Sequence, residues 1–175
     1  MEICITEEVK KLLEERGIKR EDVKEVIEHG ESTRRRFYMP EEKRFLGKKR
    51  IGNVAVNVEY SADGTVHTAY THRAKLLENT SKPMVTELGG KVDVYGEGTE
   101  QKRDETVGTR KLGVPWSCSK CNEKAVPANT EVTFMNIQRS IYSMACPKCG
   151  FVILEEPTAV GTLAAAEGLL EAKGA

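Results

Sequence analysis

Hydrophobic and polar positions change period along the chain. Between Thr6 and Gly30, apolar residues recur three and four apart, the spacing of one helical face. Val9, Leu12 and Leu13 mark a first helix, with Thr6 as its N-cap and Glu7 and Glu8 in its positive first turn. Gly17 can end it. Arg20-Glu21-Asp22 opens a second helix striped by Val23, Val26 and Ile27. This helix is expected to end at His29-Gly30, the imidazole beside its terminal carbonyls. The period then becomes two. Val54, Val56, Val58 and Tyr60 line one side of a strand over 53–60. Ser61-Ala62-Asp63-Gly64 is a turn, and 65–72 is the returning strand. An earlier strand covers 45–51. Residues 1–80 are therefore expected to form a small α-α-β-β-β domain, and the fold class is α+β.

Residues 81–113 carry Gly, Thr and mixed charge, the composition of a linker, with one short strand over 91–95. Periodicity returns in a second unit, 114–175. Strands are expected over 131–137 and 140–145, with Gln138-Arg139 near their turn, and a short apolar strand over 151–154. A helix follows over 155–173 despite Gly161 and Gly168. Val160, Leu163, Ala166 and Leu170 are its expected apolar stripe.

The second unit carries the chemistry. Cys118 and Cys121 are separated by two residues, as are Cys146 and Cys149, and 24 residues lie between the pairs. Each Cys-x-x-Cys lets the chain curl around one ion, with backbone N–H groups of the turn facing the sulfurs. Pro147 presets the second turn and Gly150 permits its tight exit. Four thiolates at tetrahedral positions suit zinc, or iron of the rubredoxin kind. Two disulfides are the competing use of four cysteines. A thioredoxin-like dithiol needs only one pair, in a βαβ context. No histidine follows His72, so the cysteines would close the site themselves. A closed site leaves no position for water or substrate, which argues for a structural or electron-transfer centre. About forty residues of ribbon bury too little apolar surface to fold alone, so the metal would supply folding energy. Trp116, the only tryptophan, is expected to pack over the knuckles. The unit reads as a Cys4 zinc-ribbon or rubredoxin-like β-hairpin domain with a C-terminal helix.

Charge changes the picture only locally. Lys plus Arg and Asp plus Glu both number 27, so the total names no partner. Residues 34–50 nevertheless hold eight Lys or Arg against Glu41 and Glu42, and residues 1–33 hold ten acids against six bases. Arg34, Arg35, Arg36, Lys48, Lys49 and Arg50 could touch phosphates or a partner. The plainer expectation is a solvated basic hairpin paired with the acidic helices. His67 and His72 lie five apart on one strand, face opposite sides, and cannot converge without a bulge. Cys4 is expected to be a small buried hydrophobe. No apolar leader and no membrane-spanning run is present, so a soluble cytoplasmic protein is expected. No Ser/His/Asp arrangement, P-loop or dinucleotide fingerprint occurs.

Two resemblances add to this. Residues 1–75 resemble small α+β domains of the DUF4258 type, related in fold to RelE-like toxins. The likeness rests on Glu15-Arg16-Gly17-Ile18, Glu21-Asp22-Val23, Val26-Ile27, Gly30-Glu31 and the strand over 66–73. The His-Ala that precedes the first helix in that family is absent here. Residues 114–173 resemble the short "redox protein" family of anaerobic bacteria through Pro115-Trp116, Cys118, Cys121, Cys146-Pro147-Lys148-Cys149-Gly150-Phe151-Val152 and the C-terminal helix. That resemblance implies a rubredoxin-like or zinc-ribbon module serving an oxidoreductase. Rubredoxin-type iron sites usually have glycine after both pairs and a dense aromatic shell. Asn122-Glu123 follows the first pair here, which favours zinc.

Three functions are thus expected in order. The first is a non-enzymatic metal-binding accessory protein that docks on an oxidoreductase or assembly partner, with zinc structural or iron carrying electrons. The alternative is a nucleic-acid-binding protein using residues 34–50 and the ribbon. The last is a RelE-like ribonuclease drawing on Arg44, Tyr70, His72 and Arg73.

Overall fold

The structure, a computed structural model, describes residues 2–83 and 116–173. Both early helices form: α1 spans Glu7–Glu15 and α2 spans Arg20–Thr33. Thr6 Oγ1 accepts from the Val9 N–H at 3.3 Å, and Gly17 turns the chain at φ +67°. α2 continues past Gly30 to Thr33, so His29 sits one turn inside the helix and not at its end. The His29 carbonyl accepts from Thr33 Oγ1 at 2.7 Å, and Arg34 closes the helix at φ +58°.

Ten strands occur among the described residues: β1 (Cys4–Ile5), β2 (Arg36–Met39), β3 (Arg44–Ile51), β4 (Val54–Ser61), β5 (Thr65–His72), β6 (Lys75–Pro83), β7 (Ser117–Cys118), β8 (Val126–Phe134), β9 (Ile137–Ala145) and β10 (Val152–Ile153). They make a six-stranded sheet in the order β1-β5-β4-β3-β2-β7 and a four-stranded sheet in the order β10-β9-β8-β6. A π-helical stretch, Thr158–Leu163, leads into α3 (Ala164–Ala172). The fold is mixed α+β.

The first sheet is covered on both faces. Val56, Val58 and Tyr60 of β4, with Val66 and Ala69 of β5, pack against Leu13, Val23, Val26 and Ile27 of the two helices. Phe37, Leu46 and Tyr70 point the other way and share a core with Trp116, Met144, Phe151, Ile153, Leu154, Ala159 and Leu163. β4 is therefore buried on its second face too: Ala55 and Asn57 are almost inaccessible, and Asn57 Nδ2 donates to the Tyr70 carbonyl at 3.3 Å. His67 is the extra residue of a bulge between β4 and β5, which register Glu59 with Thr68 and Tyr60 with Val66. It hydrogen-bonds to Ser61, while His72 lies at the far end of β5 opposite Ala55. The two histidines do not converge.

Strand pairing crosses the expected linker. β6 follows β5 directly but joins the second sheet beside β8, and β7 joins the first sheet beside β2. The expected strand at 91–95 and most of the linker fall outside the described residues. Several side-chain bonds span the same divide. Tyr70 Oη donates to the Leu154 carbonyl at 2.7 Å, and Lys48 Nζ to the Val152 carbonyl at 2.6 Å. Arg16 meets Glu156 at 2.6 Å, and Thr68 Oγ1 donates to the same carboxylate at 2.9 Å.

Three local expectations are corrected. Cys4 is exposed, because side chains alternate on β1 and Ile3 and Ile5 take the inward positions. The β8–β9 turn is Met135-Asn136, at φ +50° and +65°, so Gln138 and Arg139 already belong to β9. Residues 155–173 do form a helical segment, but its inward face differs. The wide π turns put Ala159, Leu163 and Glu167 inward, and Val160 and Ala166 face out. Glu167 is a buried acid at the crossing between the sheets. Its Oε1 accepts from the backbone N–H groups of Arg73 and Ala74 at 2.9 and 2.8 Å, and Oε2 meets Arg73 Nε at 3.4 Å.

Two outcomes follow from these buried groups. Glu167→Ala leaves two N–H donors without their acceptor and should lower unfolding stability by roughly 2–4 kcal/mol, with Glu167→Gln costing less; urea denaturation of both variants measures this. Burial holds the His72 imidazole down to about 4, opposed by its bond to the Ala74 carbonyl and reinforced by Lys48. The unfolded chain takes up that proton near its ordinary value of 6.5, whereas the folded chain does not until about pH 4. Stability should therefore fall by about 3 kcal/mol as pH drops through this window. In His72→Gln that share of the slope should vanish from urea midpoints taken between pH 7 and pH 4.

Candidate metal centre

The four cysteines of 118–149 come together. Their sulfurs all lie within 4.8 Å of one another, and Cys118 Sγ stands 3.8 Å from Cys149 Sγ. Sulfurs around a tetrahedral ion at Zn–S distances of roughly 2.3 Å would be about 3.8 Å apart. All four are free thiols, so the disulfide alternative is not the arrangement adopted. Four thiolates this close repel one another unless a cation sits among them, and soft sulfur donors suit a metal that favours thiolate.

Two matching knuckles build the site. In the first, the Cys118 N–H donates to the Glu123 carbonyl at 2.8 Å, and the Asn122 N–H donates to the Cys118 carbonyl at 2.9 Å. In the second, the Cys146 N–H donates to the Phe151 carbonyl at 2.8 Å, and the Gly150 N–H donates to the Cys146 carbonyl at 3.0 Å. Each loop needs a left-handed residue four positions after its first cysteine. Gly150 provides it at φ +76° and Asn122 at φ +55°. Asparagine is among the few L-residues that adopt this conformation readily. The lack of glycine after the first pair therefore leaves the loop geometry unchanged, and it no longer discriminates zinc from iron.

Each knuckle hangs from a different sheet. Cys118 is in β7, registered with Phe37 of β2, and the Ser119 N–H donates to the Arg36 carbonyl at 2.9 Å. Cys146 follows β9, whose end pairs with β10. Phe37 and Phe151 meet beneath them with ring centroids 5.2 Å apart, and Trp116 belongs to the same buried cluster. Cys118 and Cys146 are buried, Cys121 is half-buried and Cys149 is exposed.

This setting separates the thiols. Burial pushes Cys118 up to about 12, against backbone N–H groups of Cys121 and Lys120 that favour its thiolate. Burial likewise raises Cys121. Burial acts upward on Cys149 too, but the Phe151 N–H and the other three sulfurs outweigh it and bring it below the ordinary thiol value.

The comparisons bear on this part of the chain. Residues 114–173 match the model of a family described as a domain of unknown function (DUF7479). The match covers about a third of the chain and contains all four cysteines. No curated protein and no solved structure matches the chain.

The other predicted site residues scatter. Arg36 pairs with Glu31 and Tyr60 on the helix side, and Lys49 meets Glu25 of α2 at 2.6 Å. This is the expected pairing of the basic hairpin with the acidic helix. Arg35, Lys48, Lys49 and Arg50 line one open cleft; Arg34 and Arg36 do not. Arg44, Tyr70, His72 and Arg73 are not gathered. Arg44 and His72 are opposite ends of the sheet, about 20 Å apart by strand rise. Tyr70 and His72 are buried, and Arg73 is paired with Glu167 and Glu171. No helix among the described residues is long and apolar enough to cross a membrane.

The role of Asn122 yields a direct test. Asn122→Gly should leave metal retention and stability nearly unchanged. Asn122→Val should cost about 1–2 kcal/mol, because a β-branched residue resists positive φ. Chelator competition and urea denaturation of the metal-loaded protein read both.

Proposed function

We propose that this is a non-enzymatic metalloprotein whose Cys118, Cys121, Cys146 and Cys149 hold one zinc ion as a closed structural site. The convergence of four sulfurs within 4.8 Å, on two matched knuckles, carries this reading. Zinc would replace the protons of four crowded thiols and neutralise much of their charge, without redox chemistry. Its structural effect would be a clamp. Cys118 belongs to the edge strand of the first sheet and Cys146 directly follows an inner strand of the second, so one ion would fix the two sheets together. The resemblance of 114–173 to small redox proteins supports a further step, docking on an oxidoreductase or an assembly partner.

Rubredoxin-type iron is the second reading. One observation favours it: Cys149 is exposed. An exposed sulfur gives a metal a short path for electrons to a docked partner.

Metal content and a visible spectrum of protein purified without oxygen separate the two. One zinc per chain and no colour is the expected result. One iron per chain, red when oxidised and bleached by dithionite, would replace zinc with an electron carrier. No stoichiometric metal would overturn both. Cys121→Ser should release the metal and loosen the two knuckles and β7, while α1, α2 and β3–β5 keep their core. Hydrogen exchange should show protection lost around 116–123 and 146–151 and retained over 54–72.

A further inference from the structure

A cleft of about 650 Å³ opens beside β3, lined by Arg35, Lys48, Lys49, Arg50, Lys75 and His72. That volume is in the range of small-molecule sites. No carboxylate is among its lining residues. Lys49 shares its charge with Glu25 at 2.6 Å, from outside the lining. Arg50 is oriented by the carbonyls of Asn53 and Arg73, at 2.9 and 3.1 Å. Carbonyls hold a guanidinium in place without cancelling its charge, so Arg50 and the exposed Lys75 present net positive charge to the cleft.

An independent feature lies in the same wall. His72 is only 3% exposed, and its Nδ1 lies 2.9 Å from the Ala74 carbonyl. A carbonyl only accepts, so Nδ1 carries the proton and Nε2 of the neutral ring offers a lone pair. Nε2 is buried and has no partner among the described residues. A buried acceptor of this kind calls for a donor. The phosphoryl dianion of an ester has none, whereas a hydroxyl elsewhere on the same molecule does.

We propose that this cleft binds a small phosphate ester carrying a free hydroxyl, the phosphoryl oxygens on Arg50 and Lys75 and the hydroxyl donating to His72 Nε2. Several cations around one pocket favour a dianion over a single carboxylate, and an ester can bring a separate hydroxyl to the histidine while its phosphoryl group stays on the cations, which bare phosphate cannot do with one group. The site is separate from the cysteine cluster and does not depend on which metal that cluster holds.

Ribose 5-phosphate is the probe, titrated calorimetrically into the metal-loaded full chain beside inorganic phosphate, ribose and a ten-nucleotide oligouridylate. Ribose 5-phosphate should bind saturably and at least tenfold more tightly than inorganic phosphate, and ribose should not bind. Lys75→Gln, an exposed change that touches no described partner, should weaken it about tenfold. The ¹⁵N resonance of His72 Nε2 should shift with ribose 5-phosphate and much less with inorganic phosphate. Absent binding, or binding indifferent to Lys75→Gln, overturns the site. Equal affinity for inorganic phosphate with no His72 shift overturns the hydroxyl contact. Binding of the oligonucleotide without ribose 5-phosphate overturns the small ligand in favour of a nucleic-acid groove.

Discussion

Four sulfur atoms held within 4.8 Å set the strongest constraint on this molecule. As thiolates they repel, and only a cation among them makes the arrangement favourable. That requirement falls where two sheets meet, because Cys118 extends the edge of one and Cys146 directly follows a strand of the other. The aromatic pair Phe37 and Phe151 fills the space below, Phe37 from β2 of the first sheet and Phe151 from the residue before β10 of the second. The cysteine cluster and the inter-sheet core are thus one construction.

The opposite end of the junction is held by a different means. β5 passes into β6 through Arg73 and Ala74, changing sheets as it does so. Two backbone N–H groups are left without a ladder partner at such a crossing, and the carboxylate of Glu167 accepts both. A buried acid there satisfies donors that no strand can reach. Between the two ends, Tyr70, Lys48 and Arg16 bond to the segment 152–156. The segments flanking the undescribed stretch therefore share one core.

Burial of both faces of the first sheet also shapes its chemistry. His72 and Tyr70 point into the inter-sheet space and lose contact with water, which removes them from any exposed catalytic cluster. The basic hairpin divides by face. Arg36 turns to α2 and its acids, whereas Arg35, Lys48 and Arg50 border the cleft beside Phe151 and His72. One run of like charge in the sequence thus becomes two surfaces with different partners.

The sequence by itself determined the local elements. Three-four spacing produced α1 and α2, alternation produced β4, and each Cys-x-x-Cys pair specified a ligating turn, since each of these depends on neighbours in the chain. It could not show which face of β4 would be covered twice, because alternation records one apolar face and Ala55 and Asn57 carry little hydrophobic signal. It misplaced the inward stripe of the last helix, because π turns shift the face and a buried glutamate reads as a surface residue. The short strands β2 and β7 escaped for the same kind of reason: four and two residues carry no period, and only pairing, β2 with β3 and β7 with β2, gives them a sheet. The tertiary structure decided those points, since each depends on hydrogen bonds and contacts between residues far apart in the chain.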